Sequence, residues 1–387
     1  MKSVCFCGEI HQPFTMKWYW PAYEYTRPDI DKYFDLSQVY SIFEKMSDDI
    51  IHTNEFIKEL VKSDGKFSFN ISGTFLDMCK RWNTDAIDSF KELSDTRSIE
   101  FVSSPYYHSL SSLYPEFSEF QDHVKKHRNE INNFFGQNPK TFINSELLLS
   151  NQLGKILKEL GFECMISEGS SNLIEGNDPT YVYANHLPVL LRHIDLSEDI
   201  ENRFSDKSWT GYPLIADKFA SWINNMEGDV VVIYFNYNSL ARHHEYESNI
   251  FQFIRKLPES LRKYNIEMVT PSEAAQKYLK IKLDNLNTET TARYGMDSLT
   301  GNHIQNIYLC ELMRINNDFQ KIKGAPNYNF LKQIYGYLQQ SDILMDMNYT
   351  NLPLAYERGV NNFSILSDFR RAVIETEGEI KKMGVKQ

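Results

Sequence analysis

The sequence predicts a closed parallel (β/α) barrel over residues 1–275, followed by a helical C-terminal domain over residues 276–387. Three observations carry that prediction. Short runs of apolar, β-branched or aromatic residues recur along the first part of the chain, each followed by a segment of helical period. No glycine-rich phosphate loop follows any of these runs, which counts against an open doubly wound sheet. From about residue 275 the strand rhythm stops and the remaining segments read as helices.

The strands are expected near 3–10 (SVCFCGEI), 67–71 (FSFNI), 98–103, 140–146 (KTFINSE), 163–167, 188–193, 229–236 (DVVVIYFN) and 266–270. Seven or eight parallel strands with intervening helices suit a barrel better than two separate domains. The segment 116–135 places Phe117, Phe120, Val124, Ile131 and Phe134 on one stripe, the mark of an amphipathic helix. Pro271 opens a further helix, with Ser272 as its expected N-terminal signal. Beyond a polar linker at 283–297, the segments 301–318, 329–347 and 367–385 carry the helical domain.

A net charge of −11 argues against a nucleic-acid or anionic-membrane partner, because neither polyanion is drawn to an acidic surface. The N-terminus is too short in apolar residues and too polar for a signal peptide, and no stretch approaches the length of a membrane span, so a cytoplasmic protein is expected. Five scattered cysteines with no CxxC pair suggest neither a disulfide framework nor a zinc knuckle. Cys5 and Cys7 alternate along the first strand and read as small buried apolar residues.

In a parallel barrel the chemistry belongs at the carboxyl ends of the strands. His11 and Gln12 follow the first strand in EIHQP, Tyr106, Tyr107 and His108 follow the third in SSPYYHSL, Glu146 closes the fourth in FINSELL, and Asn236 closes the run VVVIYF. Glu146 is the sharpest signal, since a carboxylate in an apolar setting is expensive to desolvate without a purpose. Its bland reading is a buried Glu paired with an Arg or a hydroxyl; a lone His after a strand is more often a loop hydrogen-bonder. The loop FTMKWYWPAYEY holds Trp18 and Trp20, which could form a platform for sugar rings or could simply plug the barrel. Trp209 and Trp222 face the same choice, and Trp82 on a helix reads as structural.

The segments EIHQP, SPYYHSLSSLY, PKTFINSELLLSN, RFSDKSW with YPLIADKFASW, NIFQFIRKLP and VTPSEAA occur in the order and at the spacing of the motifs of glycoside hydrolase family 57. The chain resembles the α-amylase and α-amylase-like branch of that family from residue 3 to about 275, and more loosely beyond. The resemblance implies a distorted (β/α)7 barrel with a helical C-terminal region, acting on α-1,4-glucans or maltooligosaccharides with retention of configuration and with neither metal nor cofactor. It makes Glu146, in NSEL, the nucleophile. With it, His11, Gln12, Tyr107, His108, Trp209, Tyr237 and His243 stand as candidate sugar contacts, beside Trp18 and Trp20 of the aromatic loop. It says nothing of the oligomeric state.

One motif departs. Family amylases carry a stretch like DYETFGEHQW in which the Asp is the general acid/base; here residues 236–245 read NYNSLARHHE, with Asn236 in the place of that Asp. Of the functional-looking positions only Tyr237 and His243 survive. A retaining glycosidase needs two carboxyl groups about 5–5.5 Å apart, one to attack the anomeric carbon and one to protonate the leaving oxygen. An amide cannot release a proton at neutral pH, and general acid–base help is worth roughly 10²–10⁴-fold. A weak or inactive enzyme is therefore expected, with a non-catalytic α-glucan-binding or regulatory protein as the alternative. Hydrolysis could survive through Glu245, Glu247, Asp195 or Glu198. Another alternative, a zinc hydrolase built from His11, His108, His243, His244 and Glu146, lacks any HxxxH or HExxH spacing.

Overall fold

The computed structural model describes residues 1–18, 28–169, 178–243, 248–282, 292–348 and 354–382. Among the described residues ten strands lie in one sheet: β1 (Lys2–Ile10), β2 (Phe67–Ile71), β3 (Ile99–Phe101), β4 (Thr141–Ile143), β5 (Cys164–Glu168), β6 (Val182–Asn185), β7 (Leu187–Arg192), β8 (Val230–Asn236), β9 (Ile266–Met268) and β10 (Lys280–Lys282). The eight runs read as strands are all there. The two short strands β6 and β10 were not expected, because VYAN and KIK are too short to give a period.

Seven of the strands, β1, β2, β3, β4, β5, β7 and β8, run parallel and curl around a common interior. The ring is thin at two seams. Between β3 and β4 it is closed by a single bridge, where Ser103 donates its N–H to Thr141 and accepts from Ile143, at 2.9 and 2.8 Å. Between β7 and β8 only Arg192 and Val232 are in register. Away from the ring, β6 folds back antiparallel on β7, β10 follows β6, and β9 pairs with the amino end of β1. The architecture is thus a distorted (β/α)7 barrel with a helical C-terminal region.

The chain divides into two compact units. The first comprises Met1–Gln12, Ile42–Tyr106 and Val124–Arg293 and contains the barrel; the second comprises Pro13–Ser41, Tyr107–His123 and Tyr294–Gln387. In these terms the barrel unit runs past residue 275 to Arg293, and two segments from the first third of the chain join the C-terminal helices.

Within the barrel, side chains alternate by the period of two. Cys5, Cys7, Val102, Ile143, Cys164, Ile166, Leu190, Val232 and Tyr234 share one core, so the cysteines are buried as expected, with burial pushing both thiols well up from their ordinary range. The opposite face of the strands packs on the surrounding helices. There Gly8 lies so close to Tyr237 that a Cβ would come within 2.7 Å of the ring.

Two local expectations are corrected. Helix 118–135 buries Glu119, Phe120, His123, Val124, His127, Ile131 and Phe135, so its buried side carries two histidines and a carboxylate and ends on Phe135, with Phe134 half-buried. His127 is tolerated because its Nε2 bonds the Ile71 carbonyl at 2.7 Å and its Nδ1 accepts from the Ser104 N–H; burial holds it down at about 4, hence neutral. Helix 271–277 is capped by Thr270 rather than Ser272: Glu273 reaches back to the Thr270 N–H at 2.9 Å, forming a capping box.

The second unit is built on helices His303–Phe319, Tyr328–Leu338, Ser341–Met345 and Ala355–Lys382. Asn302 and Gln305 form a reciprocal capping box at the first of these. Arg370 ties the last helix to the first through Glu311 and Asp318, both at 2.9 Å. A buried charge sits in the same unit: Glu119 accepts from Gln339 at 3.0 Å, contacts His123 Nε2 at 3.1 Å and pairs with Lys332. Burial alone would raise this carboxyl, but the His123 hydrogen bond and the Lys332 charge hold it far below the usual range. A group with a depressed folded pKa contributes stability that is full above its unfolded value of about 4.3 and drains away as pH falls. Glu119→Gln should therefore lower the stability of the protein by about 1–3 kcal/mol at pH 7 and flatten the loss of melting temperature below pH 4.5, as followed by thermal denaturation across pH.

Candidate functional site

On β1, β5, β7 and β8 the inward residue nearest the carboxyl end is polar. On β1 the inward series is Cys5, Cys7, Glu9; on β8, paired with it residue for residue, it is Val232, Tyr234, Asn236. On β2, Ser68 and Asn70 stand opposite Cys7 and Glu9. On β5 the series ends in Glu168, directly across from Arg192 of β7. Five strands therefore deliver Glu9, Asn70, Glu168, Arg192 and Asn236 to one mouth.

Arg192, 1% exposed, is held on three sides. Its Nε donates to the Tyr234 carbonyl at 2.8 Å, and its two terminal nitrogens meet Glu168 at 3.3 Å and Glu198 at 2.7 Å. Such pairing is what makes a buried guanidinium tolerable. Burial still pushes Glu168 up from the ordinary carboxylate range, against the pull of Arg192 and Arg293. Glu198 is less buried; hydrogen bonds from Arg192 and Asn202 overcome its desolvation and bring it down. Asn70 donates to the Tyr234 hydroxyl at 2.9 Å beneath this layer.

Glu146 lies just past the end of β4 in a left-handed backbone conformation, φ 54° and ψ 26°, and Leu147 follows with φ 54°. For residues other than glycine this is strained, and it persists only where the surroundings fix it. Here the turn is clamped by side chains. Asn144 accepts from the Ser145 N–H and donates to the Leu148 carbonyl, and Ser167 donates to the Leu147 carbonyl at 2.8 Å. The Glu146 carbonyl itself accepts the Arg293 N–H at 2.7 Å. The Glu146 side chain at this turn is half-buried.

Arg293 also reaches across the mouth. Its guanidinium meets Glu9 at 3.3 Å and Glu201 Oε2 at 2.6 Å, and that same Glu201 oxygen accepts the Asn236 N–H at 3.1 Å. Glu146 and Asn236 thus sit on one mouth of the barrel, joined through one arginine and one glutamate. The Asn236 Oδ1 accepts the Asn238 N–H at 3.0 Å, which leaves its amide NH2 as a hydrogen-bond donor that cannot transfer a proton.

Other sequence-derived candidates fall in several places. His11 is half-buried, with Nδ1 at 3.0 Å from the Ser72 hydroxyl, and Gln12 is buried beside it in the chain. Tyr107 and His108 belong to the second unit, where both are buried: Tyr107 packs on Tyr337 and His123, and His108 Nδ1 meets Ser341 at 2.8 Å. Trp18, in the same unit, is 45% exposed under the guanidinium of Arg358. Trp209 is half-buried against Trp222 and Arg203 in the first unit. Trp82 packs on Phe43 as a structural residue. Trp20, His244, Glu245 and Glu247 lie outside the described residues, as does the side chain of His243.

Tyr237 is a correction. As a sugar contact it would have to face the mouth, yet it is fully buried on the outer face of the barrel among Phe67, Phe69 and Phe90, with its hydroxyl donating to Asn54 at 2.7 Å. Next to the inward Asn236, the period of two turns it outward. Of the suggested substitute acids, Asp195 is exposed to solvent on its helix and Glu198 is committed to Arg192. Sequence reading missed Glu9, Glu201 and Arg293. Glu9 was recoverable from CFCGEI, where an acid follows the inward Cys5 and Cys7 at the strand period; Arg293 was not, since it lies far away in the chain.

A parallel barrel with carboxylates at the carboxyl ends of its strands serves many chemistries, and comparison with other proteins narrows the family. Residues 5–287 match the sequence pattern of glycosyl hydrolase family 57. A protein of Methanocaldococcus jannaschii described as "Putative alpha-amylase" is 32% identical over 374 residues, spanning 93% of this chain and 79% of its own. The chain belongs to glycosyl hydrolase family 57. Among solved structures, the branching enzyme of Pyrococcus horikoshii superposes with a TM-score of 0.67 at 12% identity, covering 97% of this chain and 94% of its own. A branching enzyme of Thermococcus kodakaraensis, solved with glucose, gives 0.66 at 14% identity over 96% and 90%. At these identities the two structures establish the shared fold. Among the described residues no helix is long and apolar enough to cross a membrane.

The position of Tyr237 yields a direct expectation. Tyr237→Phe strands the Asn54 oxygen in the core and should cost about 1–2 kcal/mol of stability in urea denaturation.

Proposed function

We propose that this protein binds α-1,4-glucan chains in the mouth of its barrel and turns them over slowly or not at all. Glu146 keeps the role of nucleophile, and Asn236 stands where the acid/base belongs. One observation supports this above the others: two strand ends joined through Arg293 and Glu201 present a carboxylate on one side and an amide on the other. The family and the "Putative alpha-amylase" relative favour an α-glucan as the ligand.

Retaining chemistry has two demands here. The Glu146 oxygen attacks the anomeric carbon as the bond to the leaving oxygen breaks, and that oxygen needs a proton as its electron pair arrives. Asn236 offers a hydrogen bond but no proton, so a glucan hydroxyl leaves poorly. Without general-acid help the rate falls by roughly 10²–10⁴-fold. A leaving group such as fluoride departs as an anion and escapes the requirement. The protein should then react once, leaving a glycosyl ester on Glu146 that water removes slowly without a base.

The second reading, a purely non-catalytic glucan-binding or regulatory protein, is favoured by the same amide at 236. The two separate on one substrate. Titration with maltoheptaose should give saturable heat with little or no release of reducing ends. With α-maltosyl fluoride, intact-mass spectrometry should show one added maltosyl group, mapping to Glu146 and lost in Glu146→Gln. Binding without any adduct selects the non-catalytic reading; rapid hydrolysis of maltoheptaose would sink the impaired-enzyme reading.

A further inference from the structure

Asn236 has a neighbour that its own strand does not reveal. β1 and β8 run side by side in register, Cys7 against Tyr234 and Glu9 against Asn236. Cys7 and Tyr234 share the inner core, so Glu9 and Asn236, two residues further on, also face inward, one strand spacing of about 4.8 Å apart. Both are held in place. The Glu9 carboxylate accepts from the Arg293 guanidinium at 3.3 Å and from the Tyr234 hydroxyl, which itself takes the Asn70 amide at 2.9 Å. An ionised carboxylate has roughly four acceptor sites, so these two donors leave room for another. The Glu9 side chain is 15% exposed, against 7% for Arg293 and 10% for Glu201, which makes it the one of the three that a ligand reaches. At Asn236 the N–H is taken by Glu201 and the Oδ1 by the Asn238 N–H, so the NH2 is the part left to meet a ligand. We propose that Glu9 and Asn236 are a matched acceptor-and-donor pair that grips two adjacent oxygens of a sugar ring, and that the amide at 236 determines which ligand binds.

The chemistry of a sugar suits such a pair. One hydroxyl gives its proton to Glu9, and the neighbouring oxygen accepts from the Asn236 NH2; bonds to the charged partner are the stronger kind. The surrounding charges show why an amide stands there. The Arg293 guanidinium is already shared between Glu9 and Glu201. A carboxylate at 236 would stand beside both with no cation of its own, and like charges opposite each other on neighbouring strands are destabilising. It would also present two acceptors and no donor to the ligand. The other charged or titratable groups at this mouth are Glu146 after β4, Glu168 on β5, Arg192 on β7 and Glu198 on the 194–201 helix, and Arg192 holds Glu168 and Glu198 for itself.

The pairing rests on the α-glucan reading, and the experiment separates the two. Maltoheptaose is titrated by calorimetry into the wild type, E9Q, N236D, N236A and E9Q/N236D. No binding by the wild type sinks that reading, and the pairing falls with it. Where the wild type binds, E9Q and N236D should each weaken affinity at least about 5-fold at pH 7. In the N236D background the same E9Q change should act in the opposite direction: E9Q/N236D again sets one amide beside one carboxylate, and should bind at least about 3-fold tighter than N236D. Residues acting separately would make the double variant the weakest. Wild-type affinity in N236D, or weakening by E9Q in both backgrounds, overturns the pairing and leaves the α-glucan reading standing. Adjacent carboxyls take up a shared proton more readily than a lone one, and the protonated member is a donor again. The deficit of N236D should therefore shrink at least about 3-fold between pH 7 and about pH 5, while that of N236A does not. If E9Q does not melt cooperatively, this comparison decides: a N236D deficit that stays constant, or one that N236A follows, overturns the pairing.

Discussion

Two guanidinium groups hold the carboxyl end of this barrel together. The mouth collects Glu9, Glu168, Glu198 and Glu201 in a space largely shielded from water, and carboxylates in such a space repel one another and lose hydration. Arg192 binds Glu168 and Glu198, and Arg293 binds Glu9 and Glu201. Each arginine also holds backbone: Arg192 takes the Tyr234 carbonyl, and the Arg293 N–H takes that of Glu146. These ties reinforce a ring that is thin at its β7/β8 seam, where one residue pair is in register.

The same ties shape what chemistry is possible. Glu146 is kept in a left-handed conformation by Asn144, Ser167 and Arg293, so its carboxylate is presented by a rigid turn rather than a free loop. On the opposite strand Asn236 is equally fixed, by Glu201 at its N–H and by Asn238 at its side-chain oxygen. The two strand ends are thus both held by specific hydrogen bonds rather than left to a loose loop.

The strand pattern was legible because parallel barrel strands are buried on both faces and so carry unbroken apolar runs, as in VVVIYF. The strand ends were legible too, since Glu146 and Asn236 interrupt such runs. Side-chain direction was harder. Tyr237 was read as a sugar contact because it survives in the family-like stretch that starts at Asn236, but neighbours along a strand face opposite sides, and the structure buries it against Phe67 and Phe69. His127 shows the reverse error: a polar residue on an apolar stripe, admitted because two backbone groups satisfy its ring.

By itself the sequence determined the barrel, the helical region that follows it, and the glutamate and asparagine that close two of its strands, because each is written in local period or in residue identity. The tertiary structure decided which charges meet. Glu9, Glu201 and Arg293 are separated by up to 284 positions in the chain, and no local pattern links them. Only the closing of the strands and the return of the chain to the mouth brings them within bonding distance, and electrostatic pairing depends on distance in space, not on separation in sequence.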